Sequence, residues 1–468
     1  VGNCKRKFYV ATKPPKEPDE SRLQRAKEIF SQEEINSCLE YGYPPTGTVE
    51  TFQAYEKHVS RPRIKPLDEQ RKLLAIKEVA KQRGDLPFPD DYFSVIKSTV
   101  YRILIEEMLV KVSLDKTPGY PLNLTHGTNF SALKADSREI VNTAVARLLL
   151  WTMPKTSDYA LTLTPFELIK FGFTDPTNVF MKKEPHPLRK IHAKLYRCIS
   201  GVSLVDNLVE AALFTKSSEL IRERGVVGGS AIGIGFTDEQ NKQFFAAIER
   251  INSNYGPPMG LDGSGYDAWH TEEALEATHY IDVEVHSPSR IWIAASRVWV
   301  YVAARAVAVV GSTLHAKTVF GMINSGSKDT SRRNTTLSLF YARYVGLLLG
   351  NRINHVLANG DDTLVWGDFD GSELEEAYSS FGAKVRDVDR FRDELHFCSH
   401  HYFKSSDGTV KAALTSWPKA LYACLVKEMR LDDAFQVANE IRHNDDELYR
   451  KFIQLFRFSF ASELSSEQ

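Results

Sequence analysis

Cysteine is scarce: Cys4, Cys38, Cys198, Cys398 and Cys424 are five in 468 residues. They are odd in number, scattered, and nowhere form a CxxC pair. That excludes a disulfide framework and points to a reducing compartment. An excess of charge of one sign is also missing, with 59 Lys and Arg against 60 Asp and Glu and a net charge of −1. A nucleic-acid partner usually leaves a basic signature, so binding one would require basic residues segregated into channels. The most apolar stretch, residues 291–310, is broken by Arg297 and Arg305. Each would cost roughly 2.5–3.5 kcal/mol at a bilayer centre, so no transmembrane span is expected. Ser287-Pro288 ahead of it reads as an N-cap and first turn of a buried helix. Lys5-Arg6-Lys7 is followed by no apolar run of signal length, and Val1 instead of Met suits a chain cut from a precursor or trimmed. Internal repeats and low-complexity tracts are absent.

What remains is an ordinary globular composition, long enough for more than one lobe. Residues 11–20, Pro-rich and charged, read as an extended arm. Helical periodicity starts near Ser21 and recurs over 67–83, 92–110, 137–153, 205–224, 268–279 and 330–349. Two further helices are expected over 432–441 and 445–456. Strands are expected at 178–181 and 313–323, the first running into a basic loop. The apolar runs His355-Val356-Leu357-Ala358 and Thr363-Leu364-Val365-Trp366 flank Asn359-Gly360 and spell a hairpin with its corner there.

The tip of that hairpin carries Asp361 and Asp362 beside Gly360. Adjacent carboxylates repel, and a cation is a natural reason to place them together, although Gly and Asp also favour plain turns. A second acidic pair, Asp262 and Asp267, stands in Leu261-Asp262-Gly263-Ser264-Gly265-Tyr266-Asp267. Between the two pairs lies Asn324-Ser325-Gly326-Ser327-Lys328-Asp329-Thr330-Ser331-Arg332-Arg333-Asn334. Taken singly, Asp262 is also a loop residue, Asp267 a helix cap and Asn334 a mid-helix polar residue.

In order and spacing, these three segments resemble motifs A, B and C of the palm of viral RNA-dependent RNA polymerases. Lys183-Glu184-Pro185-His186, Gly201 to Asp206, Ser325-Gly326-Ser327 and Phe397-Cys398-Ser399 look most like the sobemovirus-like group of positive-strand RNA viruses. Asn359 departs from the tyrosine that often precedes Gly-Asp-Asp, at a position not expected to bind metal. The resemblance implies two divalent ions, Mg²⁺ or Mn²⁺, held about 3.5–4 Å apart by Asp262 and Asp361, with Asp362 auxiliary. It implies that Asp267 and Asn334 recognise the incoming ribose, whose hydroxyl both donates and accepts. Ser325 and Thr330 would adjoin the nucleotide, and Gly326 the template.

Lys182, Lys183, Arg189, Lys190, Lys194 and Arg197 form a basic run opposed locally by Glu184. Such a run often marks a solvated face; here it resembles motif F, where Lys182, Lys183 and Arg197 would hold triphosphate. Thr117-Pro118-Gly119-Tyr120-Pro121 resembles motif G, with Thr117 and Gly119 guiding template, and is equally a Pro-Gly turn. Lys384 occupies the place of motif D, where a lysine could protonate departing pyrophosphate; Arg386 and a simple surface role both compete with that reading. His396-Phe397-Cys398-Ser399-His400-His401 has zinc-ligand residue types in the wrong spacing. It resembles instead motif E, a hairpin gripping the primer strand, with Cys398 at its tip.

The implied architecture is α+β: a right hand of fingers, palm and thumb, with an antiparallel palm sheet backed by helices. Residues 1–255 would form the N-terminal arm and fingers, with the palm starting near 199. Residues 256–404 would form the palm, with a fingers insertion near 283–315, and 405–468 a small helical thumb. The implied activity is template-directed RNA synthesis from ribonucleoside triphosphates on a single-stranded RNA template, extending nascent RNA. A reverse transcriptase and a non-catalytic RNA-binding scaffold are the alternatives. Implied partners include other viral replication proteins and, as one option, a protein primer. The expected location is host cytoplasm, in replication complexes brought to membranes by partners.

Overall fold

The computed structural model describes residues 10–88, 92–235, 237–391 and 394–464; Cys4 and the Lys5-Arg6-Lys7 opening lie outside them. Helices and largely antiparallel sheets mix along the chain, as an α+β fold requires. The central sheet has four antiparallel strands in the spatial order Val385–Arg390, Met259–Gly263, Asp362–Gly367, Ile353–Asn359. The apolar runs of its last two strands do not alternate with polar residues, and the packing explains why. Val356, Ala358 and Val365 face the main core with Leu337, Phe340 and Tyr341 of the helix Thr330–Leu348. Leu357, Leu364 and Trp366 face a second core with Phe244, Phe245 and Ile248 of the helix Asp238–Tyr255. A sheet covered on both faces has no polar side to show.

Two further sheets flank the centre. One joins Leu395–Phe397, His400–Lys404 and Val410–Leu414. The other orders Cys198–Gly201, Thr177–Met181, Ala308–Val310 and Thr313–His315, with a parallel contact between Thr177–Met181 and Ala308–Val310. The helices Glu20–Ile29 and Gln32–Leu39 pack far from their sequence neighbours. Ala26, Phe30, Ile35 and Cys38 share a core with Leu421, Leu425, Phe452 and Leu455, and Lys451 pairs with Glu34 at 2.9 Å.

Several boundaries differ from the sequence reading. The hairpin turn is Gly360-Asp361, because Asn359 pairs with Asp362. Gly360 takes φ 67° at the first turn position, where a two-residue hairpin turn accepts glycine most readily. The expected strand 313–323 ends at His315, and further on Gly321 at φ 122° and Met322 at φ 68° turn the backbone. Ser289, not Ser287, caps the helix Arg290–Ala304, accepting from Trp292 N, while Ser287 ends the preceding helix at φ 45°. That preceding helix is Glu272–His286: Thr271 ahead of Glu272-Glu273 caps it, as that sequence favours, and it runs on past His279, the end expected for it. The helix expected over 137–153 begins at Asn129 and bends at Asp136, and the one over 92–110 begins at Ser98. Among the described residues, no helix is long and apolar enough to cross a membrane.

Candidate active site

Pairing register brings the separated acidic segments together. Leu261 pairs with Thr363, so Asp262 lies one step further on, beside the turn that carries Asp361 and Asp362. Asp362 and Asp262 line one cavity of about 240 Å³ with Phe397, Cys398 and Ser399 of the neighbouring hairpin. Burial, then the charges of Asp361 and Asp262, push the Asp362 carboxyl up to about 7. The Asp361 carboxyl is also raised, by desolvation and then by Asp262 and Asp267, although the turn itself reaches solvent. Three carboxylates held in mutual repulsion, offering only oxygen, fit a hard divalent cation such as Mg²⁺.

Asp262 is not unopposed. Arg386, its partner across the strand pair, donates through Nε at 2.9 Å and Nη2 at 2.5 Å to Asp262 Oδ2. A cation seeking that oxygen must compete with the guanidinium. Arg386→Ala is therefore expected to lower the Mg²⁺ concentration giving half-maximal activity. A metal titration checks this; an unchanged midpoint with reduced turnover would assign Arg386 to the reaction instead. Lys384, the other motif D candidate, is exposed, and its carbonyl accepts from Ser264 N at 2.8 Å beside the Asp262 strand.

The helix Thr330–Leu348 organises the remainder, a role its sequence did not advertise. Thr335 Oγ1 accepts from Gly360 N at 2.9 Å, and Ser338 Oγ donates to Gly360 O at 2.6 Å, fixing the acidic turn. Tyr266 OH lies 2.9 Å from Asn334 O and 2.7 Å from Ser338 Oγ and shares its one proton between these two acceptors, fixing the segment that carries Asp267. Residues 334, 335 and 338 lie on one helical face by their i, i+4 spacing, which was the available signal. Asn334 Nδ2 donates to Asp267 Oδ1 at 3.3 Å. Asn334 Oδ1 is buried and, among the described residues, receives no hydrogen bond. An amide oxygen left unsatisfied beside a carboxylate is a ready acceptor for a hydroxyl donor.

The segment before that helix is tied inward. Ser325 Oγ accepts from Ser200 N at 3.1 Å, and Gly326 N donates to Ser200 O at 3.0 Å. A Cβ on Gly326 would lie 2.6 Å from that carbonyl, so the approach needs glycine. Thr330 Oγ1 bonds the carbonyls of Asn324 and Ser327, both at 2.8 Å, and so braces the segment.

The basic run divides. Glu184 pairs with Lys182 at 3.1 Å, Arg197 at 3.2 Å and Lys419 at 3.2 Å. Burial raises the Asp267 and Asp361 carboxyls, and the charge of Arg197 opposes that rise, which puts it in the field of the acidic cluster. Lys183 lines a different cavity, of about 1120 Å³, together with Thr117. Gly119 takes φ 66° against Val202, where a Cβ would lie 2.6 Å from the carbonyl oxygen.

Cys398 and Ser399, at φ 52° and 59°, form the turn of the hairpin Leu395–Phe397/His400–Lys404. Asn359 Nδ2 reaches Cys398 Sγ at 3.2 Å and links this hairpin to the acidic one. Glu394, His396 and His401 bring ligand atoms within 4.8 Å of one another. Glu394 and His396 are exposed, and nothing further at that trio marks a ligand.

Comparison with known proteins points to a class of protein. The profile of a family described as viral RNA-directed RNA-polymerase matches residues 292–417, a span holding Ser325, Asn334, Asp361, Asp362 and Cys398. Over that span the chain is similar to viral RNA-directed RNA polymerases. It is 27% identical to the replicase polyprotein P2AB of Southern cowpea mosaic virus, over 80% of this chain and 36% of the relative. With the RNA-directed RNA polymerase of Mushroom bacilliform virus it shares 28% identity, over 62% of this chain and 70% of the relative. With Protein P1-P2 of Potato leafroll virus it shares 30% identity, over 62% and 28%. The chain thus spans about a third of the length of the P2AB polyproteins it matches. The relationship fits the sobemovirus-like placement, and the profile span begins beyond Asp262, which is joined to the cluster by strand pairing.

Proposed function

We propose that this chain is a template-directed RNA polymerase that adds ribonucleotides to an RNA 3′ end during viral genome replication and transcription. The observation that carries the proposal is the convergence of Asp262, Asp361 and Asp362 beside the Asp267–Asn334 pair. The antiparallel sheet from Met259 to Arg390 would be the palm of a right hand, with the domain limits given above. Residues 20–39 pack with the C-terminal helices and would join fingers to thumb.

Asp262, Asp361 and Asp362 would hold two divalent ions, Mg²⁺ or Mn²⁺. Bound there, the ions would activate the attacking hydroxyl and stabilise charge on the leaving oxygens. Asp267 and Asn334 bind the ribose 2′-hydroxyl, the carboxylate accepting and the amide completing the pair. Arg197 holds triphosphate through its planar fork, with Lys182 or Lys183 adding point charge. Ser325 and Thr330 set the nucleotide-facing segment, while Gly326, Thr117, Gly119 and Cys398 border template and primer. Lys384, next to Arg386, supplies a proton to the departing pyrophosphate. Template, nascent RNA and replication partners complete the assembly in host cytoplasm, on membranes reached through those partners.

The test is incorporation of labelled nucleotide on a single-stranded RNA template with Mg²⁺ or Mn²⁺. Template-length product from NTPs is expected, with dNTPs far poorer. Equal use of dNTPs would favour a reverse transcriptase, and RNA binding without any product a scaffold. Asn334→Ala should reduce NTP-over-dNTP preference by roughly 10-fold, the weight of one good hydrogen bond. Competition between ATP and dATP in one reaction checks it, and an unchanged ratio would remove Asn334 from ribose recognition.

A further inference from the structure

Glu210 sits on the helix Leu204–Arg224, more than a hundred residues before the Ser325-Gly326-Ser327 segment, and is only 6% exposed. Among the described residues no cation is bonded to its carboxyl. Arg333, the guanidinium that lines the same cavity, is engaged by Asp329, Asp282 and Thr278. Instead three donors converge on Glu210. Ser327 Oγ donates to Oε2 at 2.5 Å, Lys328 N to Oε2 at 3.0 Å, and Trp299 Nε1 to Oε1 at 2.9 Å. One turn back on the same helix, Asn207 does the complementary work. Its Oδ1 accepts from Lys328 N at 2.8 Å, and its Nδ2 donates to Gly326 O at 3.4 Å.

Behind the segment lies a cavity of about 30 Å³ lined by Glu210, Ser327, Asn324, Trp299 and Arg333. Across it, the hydrogen bonds of Glu210 and Asn207 tie the segment to the helix Leu204–Arg224. The choice of an acid is chemically specific. A neutral amide would fill the same volume without the desolvation cost of a buried charge, yet it would bring an NH₂ into a ring of donors. The Ser327 hydroxyl could turn and accept; the indole N–H and the Lys328 backbone N–H cannot. Burial pushes this carboxyl up to about 7, with the Ser327 and Trp299 bonds opposing that rise.

We infer that Glu210, assisted by Asn207, is a positioning residue that sets the conformation of residues 325–328 for the nucleotide. The inference rests on the polymerase reading above and extends it to a residue outside the acidic motifs. Glu210 touches no reacting atom; it acts through Ser327 and Lys328.

The decisive variant is Glu210→Gln in the full chain, with Asn207→Ala as a second approach to the same segment. Three readouts are needed: thermal midpoint, hydrogen exchange of the 325–328 amides, and steady-state single-nucleotide incorporation with RNA binding measured alongside. For a folded Glu210→Gln, KM for NTP should rise roughly 10- to 100-fold, the loss of one charge-assisted hydrogen bond. RNA affinity and kcat should change little, and the 325–328 amides should exchange faster. Asn207→Ala should move the same quantities in the same direction. Should Glu210→Gln not fold, the Asn207→Ala result decides. Wild-type KM and unaltered exchange in a folded variant would overturn the inference, as would a fall in kcat with KM unmoved. If wild-type protein makes no RNA, the polymerase reading fails, whereas the exchange measurement still tests whether Glu210 holds the segment.

Discussion

Asp361→Ala should leave a folded chain that incorporates no measurable nucleotide, a loss of about 10³-fold or more. Several kcal/mol of charge stabilisation depend on such a ligand, and each 1.36 kcal/mol is a factor of ten. The fold has little reason to fail. The turn is fixed by main-chain bonds from Gly360 to Thr335 and Ser338, not by the Asp361 carboxylate. Removing one of three repelling carboxylates should also relieve the raised Asp362, whose upward shift owes part of its size to Asp361. The metal-free variant should accordingly melt no lower than wild type. Side-by-side incorporation assays and melting curves check both halves. Retained turnover would sink the assignment of Asp361 to the metals, and a collapsed fold would show that the turn depends on its carboxylate.

Asp282→Ala should act on stability, by about 3–5 kcal/mol, the cost of breaking a buried charge pair from one side. Asp282 is fully buried, accepts from Arg332 Nη1 at 2.6 Å and lies 3.0 Å from Arg333 Nη1. Asp329 holds the same two guanidinium groups from the other side, at 2.6 and 2.7 Å. Without Asp282, two adjacent arginines would share a single carboxylate inside the core, with Arg83 also buried nearby. The Asp282 carboxyl is held well below the usual carboxylate range: burial opposes this, and the two arginines outweigh it. Its stabilising share is therefore present above the ordinary value of 3.8 and fades as pH falls below that value. Urea melts at pH 7 and at pH 3 test this. The deficit of Asp282→Ala relative to wild type should be full at pH 7 and smaller at pH 3. A deficit independent of pH would mean that lost packing, not lost charge, is responsible.

These two aspartates also mark how far the sequence could be read. Asp361 was legible because its neighbours form a two-stranded pattern with a glycine turn, all of it local. Asp282 was not, since its partners lie about fifty residues downstream and only the helix packing brings them together. The same contrast separates the helix Thr330–Leu348, whose periodicity was plain, from the work of its polar face. Thr335 and Ser338 look like ordinary helix residues until the hairpin arrives above them. The strand expected over 313–323 stops at His315, well before Gly321 and Met322 turn the chain; Leu314 and Val319 are exposed, so no buried face keeps the run paired. The basic run was visible as charge, but its division between Glu184 and a separate cavity depends on distant Lys419 and Thr117.

The shared core of residues 26–38 with residues 421–455 has a consequence for birth of the molecule. A ribosome issues the chain at roughly 5–20 residues per second. The early helices therefore wait on the order of tens of seconds for the late helices that will cover Phe30 and Ile35. Throughout that interval their apolar faces lack the surface they are shaped to meet. The final tertiary closure is thus a late event, joining the two ends of the sequence after its middle has been made.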